Sequence, residues 1–504
     1  MAPETLSVKL IEAGRLLQGF TASDEPIILE NAGVLVEGGA IREIGPIDAL
    51  RLAHPQAEPL GGPGMVVMPG LINAHHHVGL TPLQLGSPDH PLELWFASRM
   101  GLRDVDPRLD TLFSAFEMIE SGVTTVQHLH SRIPGGPDAQ LATAEAVTGA
   151  YAEIGLRASF SIALRDQNRL VYEDDRAFTA SLPEALRPAM AAWFERFTLP
   201  LTQQIEVFQE LRRRHAGEPL LGIQLAPANL HWLSDAALED IARLAAETGL
   251  PLHMHLLETP YQRDYARRRT GSAVAHLARL GLSGPKLTLG HGVWLDEGEI
   301  EACAHAGTRL CHNCSSNFRL KSGLAPLNRF LAAGIPVALG LDEAGINDDR
   351  DMLQEMRLVL RVHRAPGHDA PCPSPAQVLR MASEHGAATT PFAGRIGRLF
   401  PDMAADLVML DWRRLTWPYQ DVAIPLVDVL VQRAKREAIS AVMIGGELVY
   451  REGRFTRIDR EAVLAEIAGR LAKPLTEAES LRRSLSEAVL PHVRRFYAGY
   501  LSEN

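Results

Sequence analysis

Val66-Val67-Met68-Pro69-Gly70-Leu71-Ile72-Asn73-Ala74-His75-His76-His77 is the stretch on which the fold turns. An apolar run breaks at Pro-Gly, resumes, and ends in three histidines. Strand side chains alternate faces, so His75 and His77 point one way and His76 the other. Two imidazoles side by side at a strand end make a poor core and a good half of a metal site. The rest of the chain has to supply the other half.

Apolar runs like this one recur downstream between longer amphipathic segments. Strands are expected at 66–77, 123–129, 156–163, 221–226, 251–256, 286–291, 308–312 and 335–342. That is the size range of a (β/α)8 TIM-like barrel, and apolar strands suit a parallel sheet buried on both faces. One intervening helix shows its punctuation clearly. Ser234 is placed to cap it, Leu238, Ile241 and Ala245 share a face, and Gly249 and Pro251 stop it. The 165–220 segment exceeds what a barrel needs and predicts extra helices or a lid beside the mouth.

Both chain ends read differently, as short strands and turns with a helix only at Ile47–Leu52. The expected plan is an α/β barrel with a small flanking β-sandwich built from both ends. The small domain takes 1–66 and 394–458, the barrel 67–393, and a charged helical extension 459–504.

Composition narrows the function classes. The chain has 504 residues, 46% hydrophobic and 22% charged, as in ordinary globular proteins. A formal charge of −11 argues against nucleic acid or an anionic membrane surface as partner. Arg212-Arg213-Arg214 and Arg267-Arg268-Arg269 read as solvated helix faces. Four cysteines make no disulfide framework, and neither a signal peptide nor a membrane-spanning run is legible, so a cytoplasmic location is expected.

Barrel active sites lie at the C-terminal ends of the strands. Polar residues at those ends are His75 and His77, then His253 and His255 with Glu258 beyond, then His291, and finally Asp342. Three imidazoles and a carboxylate suit zinc or ferrous iron, and such an ion lowers the pKa of bound water toward ~7. Spacing alone leaves His253 and His255 tied. Cys311-His312-Asn313-Cys314 has C-x-x-C spacing, but no second pair accompanies it. Its cysteines read as barrel filling and a loop residue.

Several segments resemble the amidohydrolase superfamily, in its branch that deaminates or dechlorinates heterocycles. They are 69–77, Glu120-Ser121-Gly122-Val123-Thr124-Thr125, His253–Glu258, His291-Gly292-Val293-Trp294, Asn313–Asn317, Leu339–Asp342 and Gly394 through Asp406. The resemblance covers about 30–450 in one register. It implies that His75, His77, His255 and Asp342 hold one divalent metal, zinc or iron. Its His-x-x-Glu spacing picks His255 and leaves His253 behind the ligands. Glu258 is then the proton shuttle, with His291 and Asp342 activating the water. Strand four lacks the lysine that bridges two metals in other branches.

The implied reaction is hydrolytic deamination of an amino-substituted purine, pterin, pyrimidine or triazine. Removal of chloride or an alkylamine, cyclic amide hydrolysis and an inactive scaffold are the alternatives. Relatives are often dimers or larger, so a homo-oligomer is expected. Gln84, His231, Trp294 and Glu343 are the expected substrate contacts, with Trp95 a further aromatic that could stack on a flat ring. The chain departs from many relatives at Cys314, where they have proline, and in the loop 343–349.

Overall fold

The computed structural model describes residues 8–77, 79–131 and 133–501. The expected strand beginning at Leu6-Ser7 therefore starts outside the described residues.

Among the described residues, seventeen strands form three sheets. The first four are β1 (Lys9–Phe20), β2 (Pro26–Glu37), β3 (Ala40–Pro46) and β4 (Glu58–Pro69). They join β14 (Leu407–Asp411), β15 (Ile439–Ile444), β16 (Glu447–Arg451) and β17 (Arg454–Phe455) in one eight-stranded sheet. Its order is β17-β16-β15-β14-β4-β1-β2-β3, so the two chain ends pair through β4 and β14. Where two layers were expected, the pairing makes a single sheet. It curls until the β2–β3 turn meets the β15–β16 turn, with Ala405 N donating to Gly39 O and Gly446 N to Ala405 O. Side chains from both chain ends, among them Ile11, Val34, Leu407 and Met443, fill its concave face.

The remaining strands are β5 (Leu71–His76), β6 (Val123–His130), β7 (Arg157–Leu164), β8 (Leu221–Ile223) and β9 (Ala226–Pro227), then β10 (Leu252–Leu256), β11 (Leu287–His291), β12 (Arg309–His312) and β13 (Val337–Leu339). They make two parallel arcs, β5-β6-β7-β8 with β9 beside β7, and β10-β11-β12-β13. Single bridges join the arcs at both seams, Leu225 to Leu252 and Asn229 to His255 on one side, His76 to Asp342 on the other. This is a TIM-barrel-like α/β fold with parallel strands.

Two expected strands are divided. The run 66–77 splits at Gly70 into β4, which belongs to the small sheet, and β5, which starts the barrel. Pro69 has no N–H for a ladder, and a Cβ on Gly70 would lie 2.0 Å from Thr124 Oγ1. The changeover thus falls at Gly70, three residues after the expected boundary. The run 221–226 divides into β8 and β9, each paired to β7.

The helix at Asp235–Thr248 forms as read: Ser234 accepts from Ala237 N, and Gly249 ends it at φ 68°. The 165–220 segment folds into helices at Asp175–Ser181, Arg187–Glu195 and Leu201–Arg214. Tyr172, Phe178 and Trp193 of this segment pack with Trp95, Trp232 and Tyr497 in a second core at the barrel mouth. Tyr497 belongs to the C-terminal helix Glu477–Tyr497, so the extension buttresses the mouth. No helix among the described residues is long and apolar enough to cross a membrane.

Candidate active site

His75 and His77 project from the end of β5, and His255 from β10. Their Nε2 atoms converge: His75 to His77 is 3.1 Å, His75 to His255 3.1 Å and His77 to His255 3.0 Å. Asp342 Oδ1 lies 3.3 Å from His77 Nε2 and 3.8 Å from His75 Nε2. Glycines make the space. A Cβ on Gly340 would fall 2.5 Å from His75 Cβ, and one on Gly290 would fall 3.0 Å from His75 Cε1. Asn73 ties the strands, its Oδ1 accepting from Leu341 N at 2.9 Å.

The other ring nitrogens fix the tautomers. His77 Nδ1 donates to Leu129 O at 2.6 Å and His255 Nδ1 to Ala228 O at 2.8 Å. A carbonyl can only accept, so Nδ1 carries the proton and Nε2 is bare. His75 Nδ1 faces His253 Nε2 at 2.8 Å, which puts His253 behind His75. Burial, with the neighbouring imidazoles adding to it, holds His75 and His255 well below the ordinary histidine value. The lone pairs of His77 Nε2 and His255 Nε2, facing each other at 3.0 Å, repel, and a cation between them removes that repulsion. The donor set fits one divalent ion. His76 turns the other way, toward Ser114 Oγ at 3.2 Å.

Above this cluster stand two further groups. His291 ends β11 at φ 70°, a left-handed backbone unusual for histidine, and Asp342 has φ 54°. His291 Nδ1 donates to Asn317 Oδ1 at 2.9 Å, and Asn313 Nδ2 donates to His291 Nε2 at 3.2 Å. That Nε2 lies 3.7 Å from Glu258 Oε2 and 3.6 Å from Asp342 Oδ2. Burial, then the charge of Asp342, raises the Glu258 carboxyl well above its usual range. Burial lowers the His291 imidazole. Ser316 Oγ donates to Asp342 Oδ2 at 2.7 Å and Ser322 Oγ to Glu258 Oε1 at 3.3 Å.

A pocket opens over these groups, and His77, His255, Glu258, His291, Asp342 and Glu343 line it. Of the expected substrate contacts, only Glu343 lines it. Gln84 is exposed, and its side chain closes a capping box with Thr81 on the helix Pro82–Leu85. His231 is buried beneath the Tyr172 ring, at 3.9 Å between centroids, while the next residue, Trp232, faces the pocket. Trp294 is occupied behind the wall, its Nε1 donating to Ser322 O at 2.7 Å. The opposite wall carries Trp95, Phe96, Arg99, Arg165 and Trp232, of which only Trp95 was singled out from sequence. Arg99 stacks on Trp95 at 4.4 Å and donates to Glu343 Oε1 at 2.8 Å.

These features define a TIM-barrel-like α/β protein with a His-His-His-Asp cluster at its strand ends. The amidohydrolase family matches residues 66–449, and a bacterial imidazolonepropionase-like composite domain matches 32–57. The chain belongs to the amidohydrolase family. It is 32% identical over 455 residues to a 5-methylthioadenosine/S-adenosylhomocysteine deaminase of Desulfovibrio desulfuricans, covering 89% of this chain and 94% of the relative. It is 28% identical over 475 residues to a 5'-deoxyadenosine deaminase of Methanopyrus kandleri, covering 92% and 99%. Among solved structures, a zinc-bound adenosine deaminase from Xanthomonas campestris aligns with TM-score 0.74 at 24% identity, covering 95% of this chain and 98% of that one. The zinc complex of atrazine chlorohydrolase from Arthrobacter aurescens aligns with TM-score 0.78 at 22% identity, covering 91% and 99%.

Proposed function

We propose that the protein is a metal-dependent aminohydrolase that removes an amino group, as ammonia, from a nitrogen heterocycle, an aminopurine first among the candidates. His75, His77, His255 and Asp342 would hold a single divalent ion, zinc before iron. When bound, the ion supplies Lewis acidity that makes hydroxide available near neutral pH. The observation that carries the reading is the convergence of three Nε2 atoms within 3.1 Å, beside Asp342, under a pocket that also holds Glu258 and His291.

The side chains divide the work. Asp342 Oδ2 and His291 Nε2, 3.6 Å apart, flank the place where a water can be oriented. Glu258, kept protonated by burial, delivers a proton to the ring nitrogen next to the amino-bearing carbon and then carries one to the departing ammonia. His291, its Nδ1 proton held by Asn317, presents an accepting Nε2 that orients the water through one of its protons. Trp95 and Trp232 give a flat ring an apolar wall, and Glu343 accepts from one of its N–H or hydroxyl groups.

We read the two parallel arcs as one closed barrel spanning 67–393, the sheet of 1–66 and 394–458 as the small β domain, and 459–504 as a helical buttress. A cytoplasmic homo-oligomer acting on small molecules rather than nucleic acid completes the proposal. Ammonia release measured across aminopurines, pterins, pyrimidines and triazines, with the zinc-loaded and chelated protein side by side, tests it. Release from at least one ring class, abolished by chelation and restored by zinc, is expected. Release that survives chelation, or none from any ring, overturns it.

A further inference from the structure

Glu93 lies buried in the helix Leu92–Ser98, which also carries Trp95 and Phe96 into the pocket wall. Its Oε1 accepts from two hydroxyls, Tyr172 Oη at 2.7 Å and Thr259 Oγ1. Tyr172 comes from the 165–220 segment, and its ring packs on His231, next to the pocket residue Trp232. Thr259 directly follows Glu258. The Thr259 hydroxyl also accepts from Gln262 N at 3.2 Å, and Gln262 Oε1 accepts from Glu258 N at 2.9 Å. A second bond to Gln262 Oε1 comes from Asn229 Nδ2 at 3.2 Å, and Asn229 is the residue that bridges to His255. Leu257, on the other side of Glu258, has φ 48°. A leucine persists in that left-handed region only where its surroundings over-determine it. Trp294 N holds Leu257 O at 3.0 Å from one side. The bonds that run from Glu93 through Thr259 and Gln262 to Glu258 N hold the turn from the other.

We infer that Glu93 is a positioning residue for the proton shuttle: through Thr259 and Gln262 it sets where the Glu258 carboxyl stands against His291, 3.7 Å away. The inference rests on the proposed role of Glu258. Because the same oxygen fixes Tyr172, the pocket wall and the shuttle are both referred to one buried group. A ring seated against Trp95 and Trp232 is thereby registered against the proton it has to receive. Misplacing a reacting group by about 1 Å can cost about 10²-fold in rate. Both hydroxyls end on Oε1, so the amide oxygen of glutamine can stand in for it, whereas an alkyl side chain leaves two buried hydroxyls without their acceptor.

Paired substitutions in the zinc-loaded full chain test it. Glu93→Leu and Thr259→Val cut the bond from either end, and Glu93→Gln and Thr259→Ser keep it. Crystal structures read the separation of Glu258 Oε2 from His291 Nε2, which should change by about 1 Å in the first pair and stay as in wild type in the second. Thr259→Val carries the decision if Glu93→Leu does not fold. Adenosine and guanine serve as turnover probes. With zinc content unchanged, kcat should fall by about 10²-fold in Thr259→Val, KM should move far less, and Thr259→Ser should recover kcat. In a Glu258→Gln background, Thr259→Val should lower kcat no further, whereas a general loosening of the fold would lower it again by the same factor. An unmoved Glu258 in Thr259→Val, or equal losses of kcat with and without the Glu258 carboxyl, overturns the inference. If neither probe nor any other ring releases ammonia, the displacement of Glu258 in Thr259→Val and its absence in Thr259→Ser still establish the positioning, and only the deaminase reading falls.

Discussion

Among the buried histidines of this barrel, two groups are built to opposite ends. At His77 and His255, backbone carbonyls of Leu129 and Ala228 take the Nδ1 protons, so two bare Nε2 atoms meet each other at 3.0 Å and His75 Nε2 at 3.1 Å. At His312, Cys314 and His363, two Nε2 atoms also meet, at 2.9 Å. Here His312 Nδ1 has no partner among the described residues. Nothing forces a proton onto that Nδ1, so His312 Nε2 can keep its proton and donate to His363. The second group is therefore a hydrogen-bonded pair beside a thiol, although its donor atoms are close enough to suggest a metal. What separates the two is the carbonyl acceptor behind His77 and His255, since proximity is common to both.

The sharpest way to break this contrast is to remove a ligand from the first group. His255→Ala should lose both its metal and measurable turnover, with the fold retained by circular dichroism. Metal analysis decides the matter, and a full complement of zinc in His255→Ala would end the assignment. Glu258→Gln comes next. It should keep the metal while kcat falls by about 10²–10⁴-fold, the usual contribution of a positioned acid–base group.

What the sequence disclosed follows the same division. Barrel strands were legible because burial on both faces leaves apolar runs, and the histidines and Asp342 of the candidate site because they end those runs, although the runs alone left His253 and His255 tied. The pocket wall was not. Arg99 and Arg165 lie in a short helical turn and a loop, where no period marks which side chain faces inward. His231 and Trp232 are adjacent, and only the local turn at Leu230–Trp232 decides that the indole enters the pocket. Gln84 carried a readable signal that pointed elsewhere. Thr81-Pro82-Leu83-Gln84 is a capping-box spacing with proline at the first helical position, which commits the glutamine to Thr81 N at 2.8 Å. The Pro69-Gly70 break likewise marked where β4 ends, yet the apolar residues on both sides of it read together as one strand.

The second histidine group sharpens the contrast from the other side. Cys314→Ser and His363→Gln should leave the metal content and the zinc dependence of turnover as in wild type. Loss of the buried pair should cost stability, about 1–2 kcal/mol in His363→Gln by urea unfolding at neutral pH. Halved metal content in either variant would mean that the second group ligates after all.

The smallest effect is in the pH dependence of that stability. Burial pushes His363 down to about 4, whereas an exposed histidine titrates near ~6.5. Between those values the unfolded chain holds a proton that the folded chain does not. Stability from the neutral, buried imidazole is therefore complete above pH ~6.5 and is lost as pH falls toward 4. Glutamine at 363 cannot take up that proton. Unfolding of His363→Gln should then be less sensitive to acid than wild type, by ~1 kcal/mol or more across the interval, with Cys314→Ser retaining the wild-type slope. Parallel slopes in all three proteins would show that His363 does not enter the fold neutral, and the hydrogen-bonded pair with His312 would have to be abandoned.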